Sequence, residues 1–366
     1  MRVAILGCGQ LSRLMAQEGK PLGVEFTFVA MGEESTVCVD GMGEIIRYTD
    51  SMTPAELSEL LGKPDAVTVE REGIDADLLD ALRETQAVRP APAAVRATQH
   101  RLREKQALTQ AGVPKTPYQY IETTDDLIAA ANEFGFPLIV KACTDGYDGK
   151  NQWHLKSQEQ LDQLLQSEQP NDWIAEPKIN FITEVSLIAA RNVQGDVVFY
   201  PLAENTHLNG ILKRSVVPYP DTTQEQVDGI RQHMKNLLEF WGYVGVLAME
   251  LFVTDDGFMV NELAPRVHNS GHWSQNDVIT SQFENHIRAI TGQPLGSTEL
   301  DKVCGMVNVL GQGTEQPRTD LPDGQLFMYD KEPRDGRKLG HVNFVDEDYD
   351  SLLKRMTDID DMIYSS

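Results

Sequence analysis

Cysteine and positive charge are both scarce in this chain of 366 residues. Its four cysteines stand far apart without a Cys-x-x-Cys spacing, which argues against a zinc knuckle and against a disulfide framework. Lysine and arginine number 32 against 56 aspartates and glutamates, which gives a formal charge of −24. General binding of nucleic acid needs a basic face, so this balance argues against it. A small anionic substrate needs only a local cluster of Arg and Lys and is not excluded.

Long hydrophobic runs are also missing. No stretch approaches the roughly 18 uninterrupted apolar residues of a membrane helix, and the N-terminus runs into a glycine turn rather than a signal-peptide cleavage region. Hydrophobic residues make up 41% and charged residues 24% of the chain, as in globular proteins. We therefore expect a cytoplasmic protein that does not enter a membrane, with two or three domains.

The first hundred residues predict a doubly wound α/β domain, with limits at 1–103. A strand at 2–6 leads into Gly7-Cys8-Gly9 and a helix. The pattern predicts further strands at 26–30, 66–70 and 87–89 and helices at 54–61 and 76–84. Ser12 holds the third position of the dinucleotide fingerprint, and no acid marks the end of the second strand. The domain is therefore expected to bind a ligand other than NAD.

A second domain is predicted over 104–180 and a third over 181–366. Residues 90–92 are interpreted as a linker, and residues 95–112 as one helix that ends before Pro114. Residues 138–142 predict a buried strand that carries Lys141, whose charge must meet an anion there. The following Asp-Gly-containing loop, 145–152, could cradle phosphate oxygens with its backbone N–H groups and Lys150, or form a plain hairpin turn. Lys141 favours the phosphate loop.

The segment 260–272 concentrates a carboxylate, an amide, a guanidinium and two imidazoles. Two apolar runs, 246–253 and 258–263, flank an Asp-Asp-Gly turn and predict a hairpin in which Glu250 lies close to Glu262. Paired acids repel each other unless a cation lies between them, and carboxylate oxygens suit Mg²⁺. The alternative is that both acids are solvated on the edge of a strand.

Two other polar segments have two interpretations each. His207 lies in residues 204–212, which we interpret as a polar loop, where a solvated histidine is the usual case. The densest positive charge of the chain is at residues 331–338, which predict either a salt-bridged turn or a phosphate clamp. The helices predicted at 224–241 and 281–291 and the strands at 303–310, 325–329 and 341–345 supply the core of the last domain.

Together these motifs resemble the ATP-grasp superfamily and, within it, the 5-(carboxyamino)imidazole ribonucleotide synthetase family. The motifs that carry the resemblance are Gly-Tyr-Asp-Gly at 146–149, Glu-Val-Ser-Leu at 184–187, NELAPRVHNSGHW at 261–273, Tyr-Asp-Lys-Glu at 329–332 and Gly-Arg-Lys-Leu-Gly-His at 336–341. The resemblance implies an ATP-grasp fold of mixed α/β and α+β type, with an N-terminal pre-ATP-grasp domain, a small lid-bearing domain and a larger C-terminal domain. It also implies a ligase that uses ATP and Mg²⁺ to join bicarbonate to 5-aminoimidazole ribonucleotide.

The resemblance further implies roles for individual residues. ATP would be bound by Arg101, Lys141, Gly146, Tyr147, Asp148, Gly149, Lys150, Asn151, Gln152, Glu176, Pro177, Lys178, Ile179, Glu184, His207, Asn261 and Glu262. Mg²⁺ would be bound by Glu250 and Glu262. Carboxyphosphate, the activated form of bicarbonate, would be stabilised by Lys150, Arg266 and His268. Aminoimidazole ribonucleotide would be bound by Glu70, Tyr147, Asp148, Asn269, Lys331, Arg337 and Lys338. Asp148 is our candidate for orienting or deprotonating the attacking amine.

The phosphate loop departs from the family pattern at two positions, because Asp145 and Asn151 replace its outer glycines. Asn tolerates a positive φ better than most residues, so we expect a working loop. Rival functions are another ATP-grasp ligase such as the formate-using purine enzyme, a biotin carboxylase, and a noncatalytic nucleotide sensor. The presence of both Glu250 and Glu262 argues against the sensor. The resemblance suggests a homodimer.

Overall fold

The computed structural model describes residues 1–144, 151–276 and 278–364, and the strands of that part form three sheets. The elements of the first domain are β1 (Arg2–Leu6), α1 (Gln10–Gly19), β2 (Glu25–Met31), β3 (Glu44–Tyr48), α2 (Pro54–Leu61), β4 (Ala66–Val69), α3 (Ala76–Arg83), α4 (Pro92–Thr98) and α5 (Arg101–Gln110). Its sheet is parallel, with strand order β3-β2-β1-β4. Ligands of such sheets bind beyond the carboxyl ends of the strands. In this domain, the glycine turn after β1 and residues 70–72 after β4 lie in that position.

The second sheet is small and antiparallel. Its region contains β5 (Gln119–Ile121), α6 (Thr124–Phe134), β6 (Leu138–Ala142), β7 (Gln152–Leu155), α7 (Gln158–Ser167) and β8 (Trp173–Pro177). The strand order is β5-β8-β6-β7, and α6 and α7 pack through Leu127 and Leu161 onto the same apolar core. Lys141 lies on β6, and the neighbouring strand β8 carries Glu176.

The third sheet has nine strands among the described residues. Its elements are β9 (Thr183–Arg191), β10 (Val197–Phe199), β11 (Ala203–Leu208), β12 (Ile211–Val217), α8 (Gln224–Phe240), β13 (Gly245–Thr254), β14 (Gly257–Ala264), α9 (Gln282–Thr291), β15 (Val303–Leu310), β16 (Gln325–Met328), β17 (Lys338–Asp346) and α10 (Tyr349–Tyr364). The strand order is β14-β13-β9-β11-β12-β15-β17-β16, and β10 pairs with β9. No helix of the described residues is long and apolar enough to cross a membrane.

The first domain and the large sheet share one hydrophobic core. Val3 and Leu14 of the first domain belong to the same buried cluster as Val246, Trp273 and Phe283. Burial of such side chains contributes roughly 1.5–3 kcal/mol each. The first domain therefore packs against the large sheet through α1 and α9, and the residues that follow β4 lie near the segment that follows β14.

Three sequence predictions about the first domain are wrong. The helix predicted at 95–112 is two helices, because His100 is extended (φ −144°) and the Gln99 amide donates to the backbone carbonyl of Glu72, at 2.6 Å. The predicted linker at 90–92 is buried, and Pro92 is the first residue of α4, a position that suits the missing N–H of proline. Residues 87–89 form an isolated bridge to Val67 rather than a strand.

The predicted polar loop at 204–212 is also wrong, because these residues belong to the hairpin of β11 and β12. Its turn is Asn209-Gly210, and both residues have positive φ, 52° and 79°. Asn-Gly is a strong signal for such a two-residue turn. His207 is therefore on a strand and not on a solvated loop. The elements β3, α7 and α10 were not predicted at all.

Candidate active site

Two carboxylates face each other on the hairpin of β13 and β14. Glu250 lies opposite Glu262 in the strand register, and a bulge follows Glu250. The predicted hairpin and the predicted proximity of the two acids are confirmed. The side chain of Glu250 is 16% exposed and that of Glu262 is 46% exposed. Glu250 is therefore largely shielded from solvent, whereas Glu262 keeps nearly half of its side chain accessible to it.

The electrostatics of this pair favour a bound cation. Burial, and then the charge of Glu262, raise the pKa of Glu250 to about 8. A divalent ion between the two carboxylates would remove that penalty, and an all-oxygen donor pair suits Mg²⁺. The described residues thus fit the metal that the sequence predicts.

The raised pKa of Glu250 predicts a pH dependence of the stability of the metal-free protein. A carboxyl whose pKa is higher in the folded state stabilises the fold below its unfolded pKa of 4.5, and this stabilisation is lost as the pH rises through about 8. The free energy of unfolding is measured with urea in the presence of chelator. Between about pH 5.5 and about pH 8.5, the free energy of unfolding of Glu250→Gln should rise by about 3 kcal/mol relative to that of the unsubstituted chain.

The control for this pH experiment is Glu315→Gln, which changes an exposed loop acid. Its difference from the unsubstituted chain should not vary with pH. Excess Mg²⁺ should reduce the pH-dependent difference between Glu250→Gln and the unsubstituted chain, because it offsets the charge of Glu250. A constant difference across the pH range would contradict the electrostatic description of the pair.

Three further polar groups surround the acid pair. Nη1 of Arg101 lies 4.0 Å from Oε2 of Glu262. On the neighbouring strands, Nδ1 of His207 lies 2.8 Å from Oε2 of Glu184. Burial lowers the pKa of His207, but the hydrogen bond and charge of Glu184 outweigh it and raise that pKa above its ordinary value. The structure thus places Arg101, Glu184 and His207, which the resemblance assigns to the ATP site, near the acid pair from three separate segments.

Glu176 is the centre of a buried ion cluster. Its carboxylate lies 2.5 Å from Nζ of Lys141 and 2.7 Å from Nζ of Lys105, and it accepts a hydrogen bond from the Thr116 hydroxyl. Burial alone would raise the pKa of Glu176, but the charges of Lys141 and Lys105 hold it well below its ordinary value. The prediction that Lys141 meets an anion is confirmed, and in this structure that anion is a protein carboxylate.

Arg266 and His268 follow β14 and are held by residues distant in sequence. Arg266 donates to both carboxylate oxygens of Glu72, with 3.0 Å from Nη2 to Oε1. Burial would raise the pKa of Glu72, but Arg266 lowers it to about 2. Nε2 of His268 lies 3.3 Å from Oε1 of Glu250. Burial and the charge of Arg266 hold the pKa of His268 well below its ordinary value, which keeps the imidazole neutral.

The turn after β1 packs against Glu70. The backbone N–H groups of Gly9 and Ser12 donate to Oε2 of Glu70, at 2.6 and 3.2 Å. A Cβ atom on Gly7 or Gly9 would overlap the Glu70 side chain, and Gly7 also has a φ of 122°, a conformation that favours glycine. The Ser12 hydroxyl donates to the carbonyl of Gly7 at 2.8 Å. Glu70 thus fixes the N-terminus of α1.

The basic loop, residues 331–338, leads into β17 and reaches the N-terminus of α1. Nζ of Lys331 donates to the side-chain oxygen of Gln10, and Arg13 forms an ion pair with Asp330 at 2.7 Å. Arg337 donates to the backbone carbonyl of Glu332 at 2.9 Å. Burial lowers the pKa of Lys331. A lysine and a helix N-terminus, which carries a partial positive charge, therefore lie side by side.

The remaining predicted residues lie around these groups. Asn151 has a φ of 50°, which confirms that this loop position uses a positive φ and that Asn adopts it. The other positions are as follows: Gln152 contacts His154 at 2.7 Å, Pro177 pairs with Leu138, the Lys178 N–H donates to Pro137, Ile179 is half-buried, the Asn261 carbonyl accepts from Lys105, Asn269 is buried, and Lys338 begins β17. Gly146, Tyr147, Asp148, Gly149 and Lys150 lie outside the described residues, as does Asp145.

Sequence reasoning missed four residues that position the candidate site. Glu72 and Gln10 lie just after β4 and β1, at sheet ends where ligands of α/β domains bind, so a signal for them was present. Lys105 lies in a helix rich in Arg, Lys and Gln, without a feature that sets it apart. Gln282 donates to the carbonyl of His268 at 2.6 Å and accepts from its N–H at 2.9 Å, a contact for which the sequence has no signal.

Three family profiles match successive parts of the chain. Residues 1–99 match the ribonucleotide synthetase preATP-grasp domain, residues 106–283 match the ATP-grasp domain, and residues 304–355 match the phosphoribosylaminoimidazole carboxylase C-terminal domain. Curated relatives match over nearly their whole length. The N5-carboxyaminoimidazole ribonucleotide synthase of Vibrio cholerae is 39% identical over 363 residues, covering 97% of this chain and 93% of the relative. That of Bacillus subtilis is 36% identical over 365 residues, covering 97% and 94%.

Solved structures show the same similarity. The N5-carboxyaminoimidazole ribonucleotide synthetase of Thermus thermophilus superposes with a TM-score of 0.90 at 32% identity, covering 99% of this chain and 98% of that one. The Staphylococcus aureus N5-carboxyaminoimidazole synthetase complexed with ADP gives 0.85 at 30% identity, covering 98% and 96%. The fold is an ATP-grasp domain between a pre-ATP-grasp domain and a C-terminal domain. On these matches and on the geometry of the acid pair, the chain belongs to the N5-carboxyaminoimidazole ribonucleotide synthase family.

Proposed function

We propose that this protein joins bicarbonate to the exocyclic amine of 5-aminoimidazole ribonucleotide, with conversion of ATP to ADP and phosphate, in the biosynthesis of purines. One observation carries the proposal: Glu250 faces Glu262 on one side and His268 on the other. A carboxylate that would bind ATP through Mg²⁺ thereby lies beside a neutral imidazole, which is itself close to the charge of Arg266. This arrangement suits transfer of a phosphoryl group to a small anion.

ATP would bind between the small sheet and the large sheet. Pro177, Lys178 and Ile179 would supply the backbone beside adenine, together with Glu176. Glu184, paired with His207, would accept hydrogen bonds from the ribose hydroxyls. Arg101, Lys141 and residues 146–152 would hold the phosphates. Glu250 and Glu262 would hold Mg²⁺ with Asn261 beside them, and the ion would supply a positive charge that stabilises the transferring phosphoryl group.

Bicarbonate would be activated beside the hairpin. An oxygen of bicarbonate attacks the γ-phosphorus of ATP, which releases ADP and forms carboxyphosphate. Arg266, fixed by Glu72, and Lys150 would stabilise the charge of this anion. His268 would donate a hydrogen bond from its neutral ring without adding a positive charge. Water must be excluded until the amine attacks, since carboxyphosphate hydrolyses readily.

The acceptor nucleotide would bind between the first domain and the basic loop. Its amine attacks the carboxyl carbon of carboxyphosphate and expels phosphate, and Asp148 would take the proton that the amine loses. Glu70 and Tyr147 would contact the aminoimidazole. The amide of Asn269 is buried without a hydrogen-bond partner among the described residues, which supports a role in binding this substrate. Lys331, Arg337 and Lys338 would bind the ribose phosphate.

Replacement of Lys331 tests the phosphate site. Lys331→Met should raise the KM for aminoimidazole ribonucleotide by about 10- to 100-fold, because a hydrogen bond to a charged group contributes about 1.5–3 kcal/mol. ADP release without that nucleotide should be unchanged. Lys354→Met, at an exposed position of α10, is the matched control and should leave the KM unchanged. An unaltered KM in Lys331→Met would remove this lysine from the site.

The experiment that tests the function is ADP release with ATP, Mg²⁺ and bicarbonate, measured with and without aminoimidazole ribonucleotide. We expect stimulation by this nucleotide, incorporation of labelled bicarbonate into the product, and loss of activity when formate replaces bicarbonate. Stimulation by formate instead would favour the formate-using relative. Absence of stimulation by the nucleotide would refute the proposal. We also propose that the protein is cytoplasmic and forms a homodimer. Light scattering coupled to size-exclusion chromatography tests the dimer.

A further inference from the structure

Three side chains with metal-binding atoms meet at the start of α5, outside the acid pair. They are His100, Cys143 and Asp172, and their ligand atoms all lie within 4.8 Å of one another. His100 immediately precedes α5, Cys143 immediately follows β6, and Asp172 immediately precedes β8. The proposed reaction uses none of these three residues, so their juxtaposition calls for a separate explanation.

The distances within the cluster are close to those of a tetrahedral metal site. Nε2 of His100 lies 3.0 and 3.1 Å from the two carboxylate oxygens of Asp172. Two nitrogen or oxygen ligands on one tetrahedral Zn²⁺ are about 3.3 Å apart, and a sulfur ligand is about 3.6 Å from either. The Cys143 sulfur, at 4.8 Å or less, therefore needs to approach by at most about 1.2 Å. Rotation of side chains supplies such a shift.

Hydrogen bonds hold the backbone of the cluster in place. The Cys143 N–H donates to the Asp172 carbonyl at 2.9 Å, and the Arg101 N–H donates to the Cys143 carbonyl at 2.9 Å. The Tyr120 hydroxyl donates to Oδ1 of Asp172 at 3.1 Å. Asp172 also has a φ of 56°, an uncommon conformation for a residue other than glycine. Three separate segments are thus fixed around one small volume.

The ring of His100 makes few hydrogen bonds. Nδ1 of His100 is buried and has no hydrogen-bond partner within the described part of the chain. A buried polar atom without a partner costs about 1–3 kcal/mol, and such atoms are uncommon in folded proteins. Among the residues that the structure describes, Nε2 has Asp172 as its one partner, so the ring can move towards an ion without breaking another of these hydrogen bonds.

We propose that His100 Nε2, Cys143 Sγ and a carboxylate oxygen of Asp172 bind one Zn²⁺ ion, with water as its fourth ligand. The donor set is one sulfur, one nitrogen and one oxygen, which suits Zn²⁺ and not Mg²⁺, because Mg²⁺ takes oxygen ligands. A thiol must lose its proton to bind a metal ion as a thiolate. Binding releases that proton to solvent as the Zn–S bond forms.

The site lies next to a residue of the proposed ATP site. Arg101 follows His100, its Nε donates to the Ala142 carbonyl at 3.2 Å, and its Nη1 lies 4.0 Å from Glu262. Zn²⁺ in the cluster would join the start of α5 to the ends of two strands of the small sheet. The ion would therefore stabilise the segment that carries Arg101, and its effect appears in protein stability as well as in activity.

Binding of Co²⁺ is a direct test, because a thiolate ligand gives a charge-transfer absorption in the near ultraviolet that oxygen ligands do not give. The full-length protein is stripped with chelator and titrated with Co²⁺ in excess Mg²⁺, which occupies hard oxygen sites. We expect one Co²⁺ per chain with this absorption, its displacement by Zn²⁺, and a higher unfolding temperature with Zn²⁺. None of these measurements depends on turnover, so the result is independent of the proposed carboxylation.

Three variants separate the site from other effects. Cys143→Ser should abolish the absorption and weaken Zn²⁺ binding at least tenfold. Asp172→Asn should keep the absorption with at least tenfold weaker binding, because it retains the thiolate and tolerates a positive φ.

Cys38→Ser is the matched control. This buried cysteine lies in another part of the chain, where its thiol donates to the Tyr329 carbonyl, and the variant should bind the metal as the unsubstituted protein does. Circular dichroism of the metal-free variants confirms that each is folded. Persistence of the absorption in Cys143→Ser, or its absence in the unsubstituted protein, would overturn the proposal.

Discussion

We expect Glu262→Gln to lower kcat for ADP release by about 10²- to 10⁴-fold, because a metal held at the phosphates contributes several kcal/mol to stabilisation of the transition state. Glutamine keeps the shape of the side chain and one oxygen atom but removes the negative charge that, with Glu250, would hold Mg²⁺. The charge of Glu262 also contributes to the raised pKa of Glu250. The metal-free variant should therefore be no less stable than the unsubstituted protein.

The matched control for Glu262→Gln is Asp256→Asn. Asp256 is an exposed acid in the turn of the same hairpin, so its replacement changes the net charge by the same amount at a distance from the pair. This variant should keep kcat within about twofold. Steady-state ADP release over a series of Mg²⁺ concentrations distinguishes weaker metal binding from a lost catalytic contribution. A kcat of Glu262→Gln within about tenfold of the unsubstituted protein at saturating Mg²⁺ would contradict the assignment of this carboxylate to the metal.

The acid pair could be predicted from sequence because its geometry is local. Glu250 and Glu262 lie on the two strands of one hairpin, and the Asp-Asp-Gly turn between them brings the two acids close, although the bulge after Glu250 is what places it directly opposite Glu262. The position of Lys141 in an apolar strand likewise required a nearby anion. The need for an anion is thus local information, but its identity is not, because Glu176 lies 35 positions from Lys141 on another strand.

The partners of Arg266 could not be predicted in this way. Arg266 and Glu72 are 194 positions apart, and they meet only because the first domain and the large sheet share one core. The break at His100 has a similar origin. No Gly or Pro stands at residues 99–100, but the Gln99 amide bonds to the Glu72 carbonyl and the Arg101 N–H bonds to the Cys143 carbonyl. Tertiary hydrogen bonds override the local preference for one continuous helix.

Glu176→Gln should destabilise the protein by about 3–5 kcal/mol in urea unfolding without nucleotide, the loss typical of a buried ion pair from which one partner is removed. The side chain of Glu176 is 4% exposed, and those of Lys105 and Lys141 are 3% and 14% exposed. Removal of the carboxylate leaves two buried ammonium groups without their shared counter-ion. Glu315→Gln, at an exposed loop position, should change stability by less than about 0.5 kcal/mol.

A double variant separates the electrostatic cause from loss of packing. Lys105→Met keeps most of the buried stem of the lysine and removes its charge, so Glu176→Gln combined with Lys105→Met leaves one unpaired ammonium instead of two. If repulsion and desolvation of the two lysines cause the loss, the double variant should be more stable than Glu176→Gln alone, with a coupling of about 0.5–3 kcal/mol. Removal of a second charge relieves the loss only if charge causes it. A double variant that is no more stable than Glu176→Gln alone would therefore show that the cluster acts through shape and hydrogen bonding.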